Sequence, residues 1–167
     1  MAELHDVVEA IKDRLNDYRS EDREIENQTE RLERLLNKMH EVGAQDLTGM
    51  PRSPSPDHDR MSDLISKKDE LESEVAELRA EHKKERKRIE KIVRKLKRPD
   101  ERAVIRFRFI DGHEWDEVTD MLFGGRSDFL DREETYQRRT FTLHHDAIYH
   151  MAKIVIKTGD DFATIPE

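Results

Sequence analysis

Residues 136–139 read Tyr-Gln-Arg-Arg. Arginine offers a planar fork that bonds guanine O6 and N7 in bidentate fashion, and glutamine can address adenine in the same way. If this stretch opens a helix, Gln137, Arg138 and Arg139 are candidate base-reading residues. Tyr136, Thr142 and His145 are candidate phosphate contacts around them. The competing reading is a solvated helix face on which Glu133 and Glu134 neutralise the two arginines. The clustering of donors, rather than any single residue, favours DNA.

A second basic run lies upstream. His82 to Arg98 carries ten lysines and arginines against two glutamates: Lys83, Lys84, Arg86, Lys87, Arg88, Lys91, Arg94, Lys95, Lys97 and Arg98. Such a run can lie along a phosphate backbone and supply affinity independent of sequence. It can equally be a solubilising helix face balanced by the acidic first helix, residues 1–42, lying alongside in a hairpin. Both readings stand at this point.

Other chemistry finds little support. His144, His145 and His150 share one segment but lack the i, i+4 spacing of a helical zinc pair. Asp111, Glu114, Asp116, Glu117 and Asp120 fit a charged helix start beside the macrodipole. No phosphate loop, nucleophile elbow or dinucleotide fingerprint occurs. Cysteine is absent, so neither a disulfide framework nor a thiolate metal site is available. No catalytic residue, metal ligand or cofactor is expected, and the chain reads as a non-enzyme.

The elements that must position these residues are helical. Of the 167 residues, 42% are charged and 34% hydrophobic, a balance suited to long solvated helices rather than a deep core. The spacing predicts a first helix from about Ala2 to Val42. Its apolar seam runs from Leu4 to Met39 in alternating steps of four and three, interrupted by Asp22 and Thr29. Gly43 is the expected stop. The segment 43–61, with Gly49, Pro51, Pro54 and Pro56, is expected to be a loop. A second helix should start near Ser62, as N-cap, and end near Arg98 ahead of Pro99. Two seams of similar length joined by one loop predict an antiparallel coiled-coil hairpin over 1–98. Leu32 would face Leu71, Ile25 would face Leu78 and Leu15 would face Ile89. The polar exceptions would meet too, Asp22 with His82 and Tyr18 with Glu85. The alternative is that each helix dimerises with its own copy.

Residues 99–157 should form a compact helical domain. A short helix beginning at Pro99 would bury Val104, Ile105, Phe107 or Arg108, and Phe109. Asp111-Gly112 signals a turn. A second helix would bury Trp115, Val118 and Leu122. Asp131 to Glu134 has the form of a capping box and would open a third helix, at about 132–152, with Thr140, Leu143, Ala147, Ile148 and Met151 inward. The tail, 158–167, shows no clear structure. Charge is uneven along the chain. Residues 61–98 carry 13 bases and 9 acids, whereas 1–60 and 99–167 each carry 9 bases and 15 acids. An acidic domain opposes approach to phosphate unless its bases gather on one face.

Helix, glycine-containing turn, helix, connector and longer helix is the layout of helix-turn-helix DNA-binding domains. The stretch "DERAVIRFRFIDGHEWDEVTDML" resembles the region-four domain of sigma factors and the phage late-transcription regulators of the ArpU and RinA type. The third helix, "ETYQRRTFTLHHDAI", is similar to the corresponding stretch of such phage proteins at Tyr136, Arg138, Arg139, Phe141, His144, Ala147 and Ile148. The resemblance covers about residues 99–152. It departs from a standard helix-turn-helix in the long connector "FGGRSDFLDREE". It implies a sigma-region-four-like domain and a regulator that binds double-stranded DNA, and with the seams above the expected fold is all-α, a coiled-coil hairpin followed by that domain. Host RNA polymerase is a further expected partner and a homodimer a further expected state. The N-terminus is neither signal peptide nor membrane span, and no apolar run reaches 18 residues. A cytoplasmic location in a bacterial host, with no membrane partner, follows as an expectation. The rival reading is a phage-derived protein that uses its coiled coil to bind a host protein, such as RNA polymerase or a defence nuclease, with DNA binding absent or only autoregulatory.

Overall fold

A computed structural model of the chain describes residues 2–46 and 56–163. Among the described residues there is no strand. The fold is all-α: a long antiparallel helical hairpin followed by a small helical domain. The helices are α1 (Ala2–Asp46), α2 (Pro56–Val93), α3 (Pro99–Ile105), α4 (Trp115–Phe123) and α5 (Glu133–Thr158). By packing, the chain forms two compact units. One is Glu21–Lys83, and the other is Met1–Ser20 together with Lys84–Glu167.

The first unit is the distal hairpin. The register matches expectation: His82 lies 3.9 Å from Asp22, and Arg79 donates to Thr29 Oγ1 at 3.1 Å. Leu64, Leu71 and Val75 of α2 are buried, whereas Leu32, Leu36 and Met39 of α1 are only half-buried. Two helices alone cannot close both sides of a seam.

Both expected helix ends at the loop are corrected. α1 continues past Gly43 to Asp46, and α2 begins at Pro56 rather than Ser62. A glycine inside a helix costs only about 1 kcal/mol against alanine and does not by itself stop one. Proline suits a first-turn position, where its missing N–H is not needed. The expected non-helical character of 47–55, with Gly49, Pro51 and Pro54, lies outside the described residues.

In the second unit a single core gathers both ends of the hairpin and the C-terminal helices. Ile11 and Leu15 of α1 meet Ile89 and Ile92 of α2, Val104 and Ile105 of α3, Val118 of α4, and Ala147, Ile148 and Met151 of α5. The sequence separates hairpin from domain at Pro99, but the core runs across that boundary. The last turn of α2 also differs from expectation. After Val93 the backbone tightens into i→i+3 turns, Lys95 to Ile92 and Leu96 to Val93, each 3.0 Å. Arg98 is then extended, with φ −84° and ψ 127°, as the residue before proline requires.

α3 runs into a wider turn at Arg106–Ile110, where the Asp111 N–H donates to the Arg106 carbonyl at 2.9 Å. This π-type turn explains why the inward residue at 107–108 is ambiguous in the sequence. Phe107 packs against the core, and the Arg108 side chain is also mostly covered, at 13% exposure. Gly112 closes the turn at φ +77°, a conformation that favours glycine. The capping box expected at Asp131–Glu134 is absent. Residues 130–132 form a 3₁₀ turn leading into α5, and Arg132 at its N-cap makes no side-chain cap. The capping box is instead at Glu114–Glu117, opening α4.

The tail is corrected as well. α5 ends at Thr158, Gly159 turns left-handed at φ +61°, and Asp161–Ala163 form a short turn that buries Phe162 in the core at 1% exposure. Phe162→Ala should cost about 3–5 kcal/mol, the range for removing a buried aromatic ring. Urea unfolding followed by circular dichroism checks this. A cost under about 1 kcal/mol would show that the tail does not anchor the core.

Candidate nucleic-acid interface

α5 is positioned from behind by α4. Thr119 Oγ1 donates to Thr140 Oγ1 at 3.0 Å inside the contact, and the Phe123 and Tyr136 rings lie 5.2 Å apart. The buried row Tyr136, Thr140, Leu143 and Ala147 faces α4 and the core. The opposite row, Arg138, Thr142 and His145, is exposed. Spacing of four and three places these residues on one face of the helix.

The six predicted readers therefore separate. Arg138 projects into solvent with its side chain 83% exposed, 3.8 Å from Glu134. Gln137 is half-exposed beside it. Thr142 is exposed, with its hydroxyl donating back to the Arg138 carbonyl at 3.0 Å. His145 is exposed. Arg139 is exposed but lies over the rings of Phe123 at 5.3 Å and Tyr136 at 5.6 Å. Tyr136 is the exception. Its ring is buried, and its hydroxyl donates to Asp128 at 2.7 Å. That bond holds the Asp128 carboxyl below its usual range and pushes the tyrosine up. Tyr136 thus anchors the connector and is not placed to touch phosphate.

The basic run is partly spent within the protein. Lys91 pairs with Asp160 at 2.7 Å and Arg88 with Asp161 at 3.2 Å, so two tail acids take up two of its cations. Arg94 lies 3.8 Å from Glu90. Arg98 lies 3.3 Å from Glu101, a buried carboxylate that His150 also meets, at 3.1 Å. Lys84 is also engaged. Lys83, Arg86, Lys87, Lys95 and Lys97 are exposed and form no ion pair among the described residues. Two cations of the run are thus balanced by the tail, which the sequence does not indicate.

The sequence did not reveal an aromatic cluster beside the reading row. Trp115 is half-exposed rather than fully buried. Arg108 lies over it at 4.7 Å, with the Phe141 ring at 5.0 Å and His144 edge-on at 4.8 Å. Arg108 also donates to the His113 carbonyl at 2.8 Å and pairs with Glu114 at 3.0 Å. Arg19 joins the same carboxylate, and together the two guanidiniums hold Glu114 below its usual range, Arg108 contributing most. Phe141 remains 49% exposed and Tyr149 37% exposed, on the same side of α5 as Arg138. The spacing of Phe141 from Arg138 and His145 carries this signal in the sequence.

No group of histidines, aspartates and glutamates among the described residues could hold a metal ion. His144 is mostly buried, and its Nε2 has no hydrogen-bond partner among the described residues.

A family model described as a protein of unknown function, DUF1492, matches residues 55–139. The chain belongs to this family. The matched segment runs from α2 through the connector into the start of α5, and so includes Arg138 and Arg139. No curated protein and no solved structure matches the chain.

Burial, with smaller contributions from His145, Lys12 and Arg108, pushes the His144 imidazole down to about 4 from an ordinary value of 6.5. Between those two values the unfolded chain binds a proton that the folded chain refuses. Stability from this group is therefore full above pH 6.5 and falls as the pH drops towards 4, by about 3 kcal/mol in all. His144→Phe keeps a ring against Trp115 and Phe109 and removes that slope. Urea titrations of both proteins between about pH 7.5 and pH 4 should show wild type losing stability relative to the variant. Parallel curves would refute a buried neutral histidine.

Proposed function

We propose that the protein is a DNA-binding transcription regulator of the phage type, with α5 as the helix that enters the major groove. The observation that carries this reading is the exposed row Arg138, Thr142 and His145, with Gln137 alongside, on the face of α5 opposite its packed side. A recognition helix needs that division. Its back is fixed by a supporting helix, here through Thr119–Thr140 and Phe123–Tyr136, while its front carries long hydrogen-bonding side chains. Arg138 and Gln137 are the base-reading pair in this account, and Arg139, Thr142 and His145 flank them. Lys95 and Lys97, unpaired among the described residues and just before α3, would add backbone contacts, as would Arg86 and Lys87. Tyr136 contributes only by holding the connector.

The rival, a host-protein binder, draws on a different observation. Phe141 and Tyr149 are exposed on the same side of the helix, and aromatic side chains are enriched at protein interfaces.

One titration separates the two. Binding of full-length protein to promoter fragments from a phage genome should weaken steeply with salt, with a log–log slope near −0.9 for each phosphate neutralised. Arg138→Ala should cost about 1–3 kcal/mol and relax the preference at one base pair. Lys97→Ala should weaken all sequences alike and reduce the slope by about one unit. Absence of salt-dependent binding, or an Arg138→Ala protein that binds as wild type does, would support the protein-binding reading.

A further inference from the structure

The distal hairpin carries an open groove of about 480 Å³ between α1 and α2. Its floor is apolar, with Leu35 and Leu71. Its two walls differ in charge. Arg31, Arg34 and Lys38 line the α1 side, whereas Glu70 and Glu74, with Lys67, line the α2 side. These opposite charges do not pair across the groove. Arg34 turns to Glu30 at 3.1 Å and Arg31 to Gln28 at 3.0 Å. Lys38, Lys67, Glu70 and Glu74 form no ion pair among the described residues.

We infer that this groove is the contact face between two copies of the chain, which pack their hairpins into a four-helix bundle. Two observations point to a second copy rather than to another occupant. First, the face is self-complementary: a twofold axis parallel to the helices sets the basic α1 wall of each copy against the acidic α2 wall of the other. Arg31 then meets Glu74 of the partner, Arg34 meets its Glu70, and both pairs occur twice, as an isologous interface requires. An axis across the helices would oppose like walls and is disfavoured. Second, Leu35 on the groove floor is left half-buried by α2, although Ile11 and Leu15 near the start of α1 are fully covered. A second hairpin closes the open side of such a seam. Lys67 is the exception on its wall, since it stands level with Lys38 and meets a like charge in the dimer.

The test is sedimentation of the full chain, with circular dichroism as a control for folding. Wild type should be a dimer. Arg31→Glu/Arg34→Glu should be monomeric, since both walls are then acidic, and Glu70→Arg/Glu74→Arg should be monomeric for the converse reason. An equimolar mixture of the two should recover the dimer, because each altered wall meets its complement. Lys67→Glu, which needs no disruption of the wild-type state, should tighten association by about tenfold. A monomeric wild type, charge-reversed variants that remain dimers, a mixture that stays monomeric, or Lys67→Glu association no tighter than wild type would each overturn the inference.

Discussion

Arg14 is where α1, the end of α2 and the C-terminal turn are joined. Its guanidinium grips Glu85 with two nitrogens, donates to the Phe162 carbonyl and lies over the Phe162 ring at 4.7 Å. The pair is largely shielded, with side-chain exposures of 14% and 18%. A charge in that setting is tolerable only when its partners are complete, and losing one leaves an uncompensated ion. The hydrogen bond to Glu85 accordingly raises the proton affinity of Arg14 further. Around this contact the core closes, with Ile11 and Leu15 on one side of the arginine's own helix and Phe162 beyond it.

The same logic organises the polar contacts of this unit. Arg106 grips Glu90 through two nitrogens, at 3.1 and 2.9 Å, and ties the π-type turn to α2. Glu114 accepts from both Arg19 and Arg108 at the start of α4. Glu101, at 1% exposure, draws on Arg98 and His150. Arg19–Glu114, His150–Glu101 and Arg106–Glu90 join segments distant in sequence, so the charged content of the chain helps specify how elements meet, while the sparse apolar residues supply the cohesion. The exposed face of α5 stands apart from this network. Among the described residues Arg138 has only a loose pair with Glu134 at 3.8 Å, which distinguishes it from the arginines that build the fold.

The hairpin was legible because its signal is periodic. Seam positions such as Ile11, Leu15, Ile89 and Ile92 follow the heptad, and burial follows directly from helix geometry. The inward residues of α5, from Thr140 to Met151, were legible for the same reason. Long-range choices were not. Nothing local in "TGDDFA" tells that Phe162 returns to the core or that Asp160 and Asp161 neutralise Lys91 and Arg88. Tyr136 looked like a surface donor because its neighbours Gln137 to Arg139 are polar, yet its position one turn before Thr140 puts it on the packed row. The cap of α5 was misread because a 3₁₀ turn takes up the residues that would have formed the box. The candidate site was thus readable in its residue types and only partly in its orientation.

The separation between Arg14 and Phe162 also has a kinetic side. Helical proteins commonly fold fast because their contacts are local, and rates fall as contacting residues move apart in sequence. Here the residues that close the core are 148 positions apart. Individual helices can form as the chain emerges from the ribosome, but the Arg14–Phe162 closure must wait until residue 162 has emerged. Until then Ile11 and Leu15 lack their full cover. During synthesis the chain presents an incomplete apolar surface longer than its helical composition would imply, and protection of that surface falls to the early pairing of α1 with α2.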